Sequence, residues 1–137
     1  MASTRNTSPS EHIEQRDFVS WFRQTYPDTL IFAVPNGGQR SPATAARLRM
    51  EGVIPGVWDL FVPAWDLWIE LKRRDRGSLS AAQRDFGEAM TALGYRCMVA
   101  YGCDDGIAQL DSEIRESWQT QRGQKKGKKI IEKGRQG

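Results

Sequence analysis

The sequence predicts an α/β (α+β) domain, a mixed β-sheet flanked by helices, and three observations carry that expectation. Cap and stop signals divide the chain into the order α-β-α-β-β-α-β-α. Two adjacent strand segments place Leu60, Val62, Leu67, Ile69 and Leu71 on one face, an unbroken apolar surface suited to a core. The length of 137 residues fits one domain that buries roughly two-thirds of its unfolded surface without disulfides or a structural metal.

Residues 1–7 are small and polar and are expected to be disordered. Ser8-Pro9-Ser10-Glu11 reads as a helix start, with Ser8 as N-cap, Pro9 at the first helical position and Glu11 completing a capping box. That helix is expected to reach about Tyr26, where Pro27-Asp28 stops it, with Phe18, Trp21 and Phe22 as its apolar stripe. Glu14 lies four residues before Phe18, on the same stripe. Residues 30–34 (LIFAV) read as a short strand, and Pro35-Asn36-Gly37-Gly38 as a turn or loop.

Residues 42–51 have helical composition and a Gly52 stop. An irregular loop, Gly52-Val53-Ile54-Pro55-Gly56, leads into a strand over 57–62. A short connection over 63–66 joins it to a strand over 67–72. Ser80 caps a helix ending near Leu93-Gly94, followed by a strand over 95–101 and a last helix over 104–118.

Composition excludes several chemistries. The longest apolar run, residues 60–65, is far short of the ~20 residues of a membrane span, and the polar N-terminus lacks the apolar region of an export signal. With one histidine, His12, and two cysteines, Cys97 and Cys103, neither a His-rich metal site nor a four-Cys zinc site, even with His12 added, can be built. The cysteines read as reduced, packed thiols of a cytoplasmic protein. Catalysis must then rest on Asp, Glu, Lys, Arg and Ser.

The net charge of +3 conceals an asymmetry: residues 1–118 carry 13 basic and 16 acidic side chains, and residues 119–137 carry seven basic and one acidic. The tail, with KKGKK at 125–129, is too polar to pack and reads either as a solubilising terminus or as a DNA-binding arm.

The chemistry concentrates around the connection over 63–66. In a hairpin with an even loop centred between Ala64 and Trp65, Val62 faces Leu67 and Asp59 faces Glu70, with Cβ atoms about 5 Å apart. Lys72, two residues beyond Glu70, projects from the same face. Opposed carboxylates are destabilising unless neutralised, and a divalent cation does so; oxygen ligands select Mg²⁺, Mn²⁺ or Ca²⁺ over zinc. A cation there, with an ammonium to orient water, is the equipment of phosphodiester hydrolysis. The alternative is a set of solvated charges on an exposed sheet face. Glu14 reads either as a third oxygen ligand or as a boundary residue reaching water. The Gly-rich loops read either as places of close approach to a polyanion or as ordinary turns. Trp65 and Trp68 are candidates for a dimer contact or base stacking.

The residues P35-N36-G37-G38, R40-S41, G52-V53-I54-P55-G56-V57-W58-D59-L60, I69-E70-L71-K72 and L79-S80-A81-A82-Q83 closely resemble the VRR-NUC family of the PD-(D/E)xK nuclease superfamily, over about residues 10–110. The pattern resembles that of a stand-alone bacterial or phage member. The resemblance implies a PD-(D/E)xK restriction-endonuclease-like core. It implies Asp59 and Glu70 as metal ligands assisted by the Leu71 carbonyl, Lys72 as catalytic lysine, Glu14 as a helix-borne acidic ligand, and Gln83 as a glutamine that supports the site or touches substrate. Mg²⁺ or Mn²⁺ would be the cofactor. Stand-alone members resemble Holliday junction resolvases that act as homodimers. Trp58 departs from the family pattern, where a small residue or Pro more usually precedes the Asp.

The expected organisation is a disordered 1–7, a nuclease domain over 8–118 and a basic tail over 119–137. The expected function is metal-dependent endonucleolytic hydrolysis of DNA, structure-selective for branched substrates such as Holliday junctions. The alternatives are a non-catalytic DNA-binding or assembly module with a nuclease fold, or a nuclease acting on linear, nicked or RNA substrates.

Overall fold

A computed structural model describes residues 8–35 and 40–112. The expected disorder over 1–7, Asn36-Gly37-Gly38, residues 113–118 of the expected last helix and the basic tail lie outside the described residues. Among the described residues four helices and four strands follow one another in the expected order: α1 (Glu11–Thr25), β1 (Phe32–Ala33), α2 (Pro42–Met50), β2 (Leu60–Val62), β3 (Leu67–Lys72), α3 (Ala81–Ala92), β4 (Arg96–Tyr101) and α4 (Cys103–Asp111).

The sheet order is β1-β2-β3-β4. The first two pairings are antiparallel, and β3–β4 is parallel across the α3 crossover. The β2–β3 register pairs Val62 with Leu67 and Leu60 with Ile69, as the even-loop argument expects. A single 3₁₀ turn, Pro63–Trp65, makes the connection, closed by Asp66 in the left-handed region at φ 49°, which Asp tolerates better than most residues. Continued one residue outward, this register sets Asp59 opposite Glu70.

The two faces of the sheet differ. Leu60, Val62, Leu67, Ile69, Leu71, Met98 and Ala100 form the buried face under Phe18 and Phe22 of α1 and Leu110 of α4. Each of these side chains larger than Ala100 contributes about 1.5–3 kcal/mol on burial. The opposite face carries Trp68 and Cys97 beneath α3, where Phe86 meets Trp68 edge-on at 5.0 Å and the Cys97 thiol donates to the Gly87 carbonyl at 3.6 Å. Trp65 packs edge-on against Phe22 and Tyr26 and is 2% exposed. That leaves it unavailable for a dimer contact or base stacking; Trp68 is half-buried.

Several element ends differ from expectation: β2 begins at Leu60 rather than at residue 57, and α4 ends at Asp111, with Ser112 as its C-cap. Helix α1 starts two residues later: Ser10, not Ser8, is the N-cap, accepting from the Ile13 N–H at 3.2 Å. Ser8 instead accepts from Arg73 Nη2 through its hydroxyl, at 2.9 Å. The first strand shrinks to Phe32–Ala33 because its partner β2 pairs over so short a stretch, although the Val34 N–H still reaches the Asp59 carbonyl at 2.8 Å. Helix α2 buries no residue and so stands off the core. No helix among the described residues is long and apolar enough to cross a membrane.

Candidate active site

Strand β3 ends in Glu70-Leu71-Lys72, and the residues before β2 end in Asp59. The paired strands stitch these residues together. The Asp59 N–H donates to Glu70 Oε1 at 3.1 Å, and the Leu71 N–H donates to Asp59 Oδ2 at 3.0 Å. Lys72 Nζ lies 3.2 Å from Glu70 Oε2. Glu70 and Lys72 are nearly buried, at 2% and 8% exposure, yet both line an open cavity of 390 Å³ together with Asp59 and Gln83.

Helix α3 supplies the next partner through its own N-terminus. Ser80 and Gln83 form a capping box, in which the Ser80 hydroxyl accepts from the Gln83 N–H and Gln83 Oε1 accepts from the Ser80 N–H at 3.0 Å. The same Oε1 accepts from Lys72 Nζ at 2.8 Å, and Gln83 Nε2 donates to Glu70 Oε2 at 2.6 Å. Two donors on the oxygen and a carboxylate on the nitrogen fix which way the amide points.

Two features seat α3 against the Asp59 segment. Gly56 has φ 85°, and a Cβ there would overlap the Ala82 carbonyl, so only glycine lets the loop lie this close to α3. Trp58, 3% exposed, donates through Nε1 to the Gln83 carbonyl at 2.8 Å and packs over Gly87. The tryptophan that departs from the VRR-NUC pattern is thus the tie between the segment carrying Asp59 and the helix carrying Gln83.

The electrostatics follow from crowding two carboxylates. Burial, then the Asp59 charge, pushes Glu70 up to about 7, and burial also raises Asp59. Of the expected residues, Asp59, Glu70, Leu71, Lys72 and Gln83 come together. Glu14 does not join them. It is 1% exposed, with Arg74 Nε and Nη2 on its two oxygens at 2.8 Å each and the Cys103 N–H at 3.1 Å. Its hydrogen bonds to Arg74 hold its carboxyl below the usual range. This corrects the metal-ligand expectation for Glu14: it braces α1 to the residues after β3 and to the start of α4.

The helix-borne acid that lines the cavity is Glu11, whose Oε1 lies 3.8 Å from Lys72 Nζ. The sequence alone assigns Glu11 to the capping box of Ser8, and no local signal separates that role from a place in the cavity. Once Ser10 caps the helix, Glu11 becomes its first residue and turns toward Lys72. The flanking arginines sort as well. Arg73 is held by Ser8 and Arg74 by Glu14, Arg47 pairs with Glu51 at 3.6 Å, and Arg40 and Arg49 line a separate cavity of 190 Å³ beside Pro55.

The donor set suits a hard cation. Three carboxylates, Glu11, Asp59 and Glu70, share the pocket with the Lys72 ammonium, and the crowding of Asp59 and Glu70 is relieved by added positive charge. No three His, Cys, Asp or Glu side chains among the described residues form a ligand cluster, so two carboxylates, a backbone carbonyl and water would have to suffice. Mg²⁺ accepts such a set, because it keeps several waters and takes one or two protein carboxylates.

No family model matches the chain, and no curated protein matches it. Among solved structures, one described as "VRR_NUC domain protein" aligns with a TM-score of 0.62 and 23% identity, covering 80% of this chain and 91% of that one. The chain therefore has a VRR-NUC-like fold: a four-stranded mixed sheet flanked by helices.

Proposed function

We propose that the chain is a Mg²⁺- or Mn²⁺-dependent endonuclease that hydrolyses DNA phosphodiesters, preferring branched substrates and acting as a homodimer. The observation that carries this reading is the junction of Asp59, Glu70 and Lys72 with Gln83 in one open cavity. The likeness of the fold to a VRR_NUC domain protein supports it.

Asp59 and Glu70, with the Leu71 carbonyl, would hold the cation, which when bound supplies charge neutralisation and Lewis acidity toward a phosphoryl oxygen. Lys72 orients the attacking water with its ammonium and stabilises the negative charge that develops on the phosphate. Gln83 holds both Glu70 and Lys72 in place, and Glu11 sets a second carboxylate beside the ammonium. A single copy carries one such cluster among its described residues, so paired cuts on a four-way junction call for two copies related by symmetry.

The test is cleavage of an end-labelled four-way junction beside its linear duplex arms, with Mg²⁺ and with EDTA. Paired, metal-dependent cuts on the junction alone are the expected result. Cutting of both substrates would discard the structural preference and keep the nuclease. Asp59→Ala and Lys72→Ala should abolish cleavage while leaving DNA binding largely intact. If either retained the wild-type rate, its assigned role would fail.

A further inference from the structure

Helix α1 presents a second face, opposite the one that packs in the core. Glu14, Phe18 and Phe22 point inward and are buried. His12, Arg16, Ser20 and Arg23, spaced four, four and three residues apart, form the outward stripe, and all four are exposed. With Ala33 of the edge strand they line a groove of 610 Å³. The groove lining includes Gln15 and Gln24 as further donors and no carboxylate. His12 and Gln15 also line the cavity of Asp59 and Glu70, so the two adjoin.

We propose that this groove is a track for the phosphodiester backbone of the DNA that flanks the bond held at Asp59, Glu70 and Lys72. The inference rests on the nuclease reading for the position of the scissile bond, and on its own observations for the track. Cationic and neutral donors line the groove without an acid to repel phosphate. From His12 to Arg23 the helix advances about 16 Å, the span of several successive phosphates on one strand. Arg16 contacts Asp17 Oδ1 through Nε at 3.2 Å and through Nη2 at 3.1 Å. Both side chains are more than half exposed, so the pair opens toward phosphate at little cost. The neighbouring acids Asp17 and Glu14 lie off the groove lining. The acidic end of this path is the catalytic cavity, and its basic end is the track.

The test uses the full chain with Arg16→Ala and Arg23→Ala combined, two exposed positions outside the catalytic cluster. Binding of a labelled duplex and of a labelled four-way junction is titrated over a range of salt, in Ca²⁺ and in EDTA. Loss of both contacts should weaken binding about tenfold and reduce the log–log salt slope by about 1.8. An unchanged slope and affinity would overturn the track. Retained DNA affinity with lost binding of poly-glutamate would overturn it too, by giving the groove to an acidic polypeptide. If the wild type fails to cut any DNA yet the variant still shows the weakened binding and reduced slope, the nuclease reading falls and the track stands.

Discussion

Gln83 donates to Glu70 Oε2 through Nε2 at 2.6 Å, and with the other end of the same amide it accepts from Lys72 and from the backbone of its own helix cap. One side chain thereby couples the start of α3 to the charged end of β3. A shift of the helix is a shift of the site.

Replacing Gln83 with Ala removes all three bonds. Cleavage at saturating DNA should fall about ten- to a hundredfold, the usual effect of losing a partner that orients a ligand. The lost capping box should lower stability by about 1 kcal/mol. Single-turnover kinetics beside thermal melting separates the two. A rate that fell only in proportion to the unfolded fraction would reduce Gln83 to a cap.

The hairpin was legible in the sequence because its connection has an even number of residues, 63–66, and alternating side chains leave one register that buries Leu60, Val62, Leu67 and Ile69 together. That register alone sets Asp59 against Glu70. The helix-borne acid was not legible. Glu11 and Glu14 lie on one helix less than a turn apart, and the choice turns on Arg74, sixty positions away in the chain. A partner brought in by tertiary folding leaves no periodic trace in the helix that receives it. The start of α1 failed for a related reason. Ser8 and Ser10 both satisfy the rules for a cap, and Arg73 decides between them by taking Ser8.

Crowded carboxylates should make the metal-free protein less stable as pH rises. Burial and the Asp59 charge raise Glu70 from 4.5 to about 7, so between those values the folded state holds a proton that the unfolded state has released. Stability is therefore highest at the acid end of that window and falls as pH rises through it. Asp59→Asn should stabilise the EDTA-treated protein at pH 8 by up to about 1 kcal/mol, the range for like charges opposed on a sheet. Adding Mg²⁺ should raise the Tm of the wild type more at pH 8 than at pH 5, and should do little for Asp59→Asn. Melting curves with and without EDTA at the two pH values check both statements. Equal Mg²⁺ shifts in wild type and variant would remove Asp59 from the cation site.

Glu14 has the opposite sign. Its hydrogen bonds to Arg74 lower its carboxyl from the ordinary 4.5, so the stability it contributes is full above that value and drains away as pH falls through the lowered one. Glu14→Gln should lower the Tm at pH 7 and flatten the loss of stability on acidification. Cleavage at 25 °C should survive in the folded fraction, because the residue braces α1 and does not line the cavity of Asp59, Glu70 and Lys72. A Glu14→Gln protein that folds normally but fails to cut would return Glu14 to the site.

Trp58 gives the sharpest test of how far the site depends on the seating of α3. Its indole donates to the Gln83 carbonyl, and its ring occupies the space above Gly87, where an added Cβ would come within 2.6 Å of Cζ2. Trp58→Phe removes the donor and part of the ring and should cost about 1 kcal/mol for the hydrogen bond, with a further loss for the space left behind. Gly87→Ala keeps every hydrogen-bonding group and instead pushes helix and ring apart, an overpacking worth about 1–3 kcal/mol. Neither substitution alters Asp59, Glu70, Lys72 or Gln83. Both should nonetheless slow cleavage of saturating DNA while leaving duplex affinity near that of the wild type, because moving α3 moves Gln83, and Gln83 holds Glu70 and Lys72. Rates measured well below each variant's melting temperature keep stability out of the comparison. Wild-type rates in both variants would mean that Gln83 keeps its three bonds when α3 shifts, and that Trp58 serves packing alone.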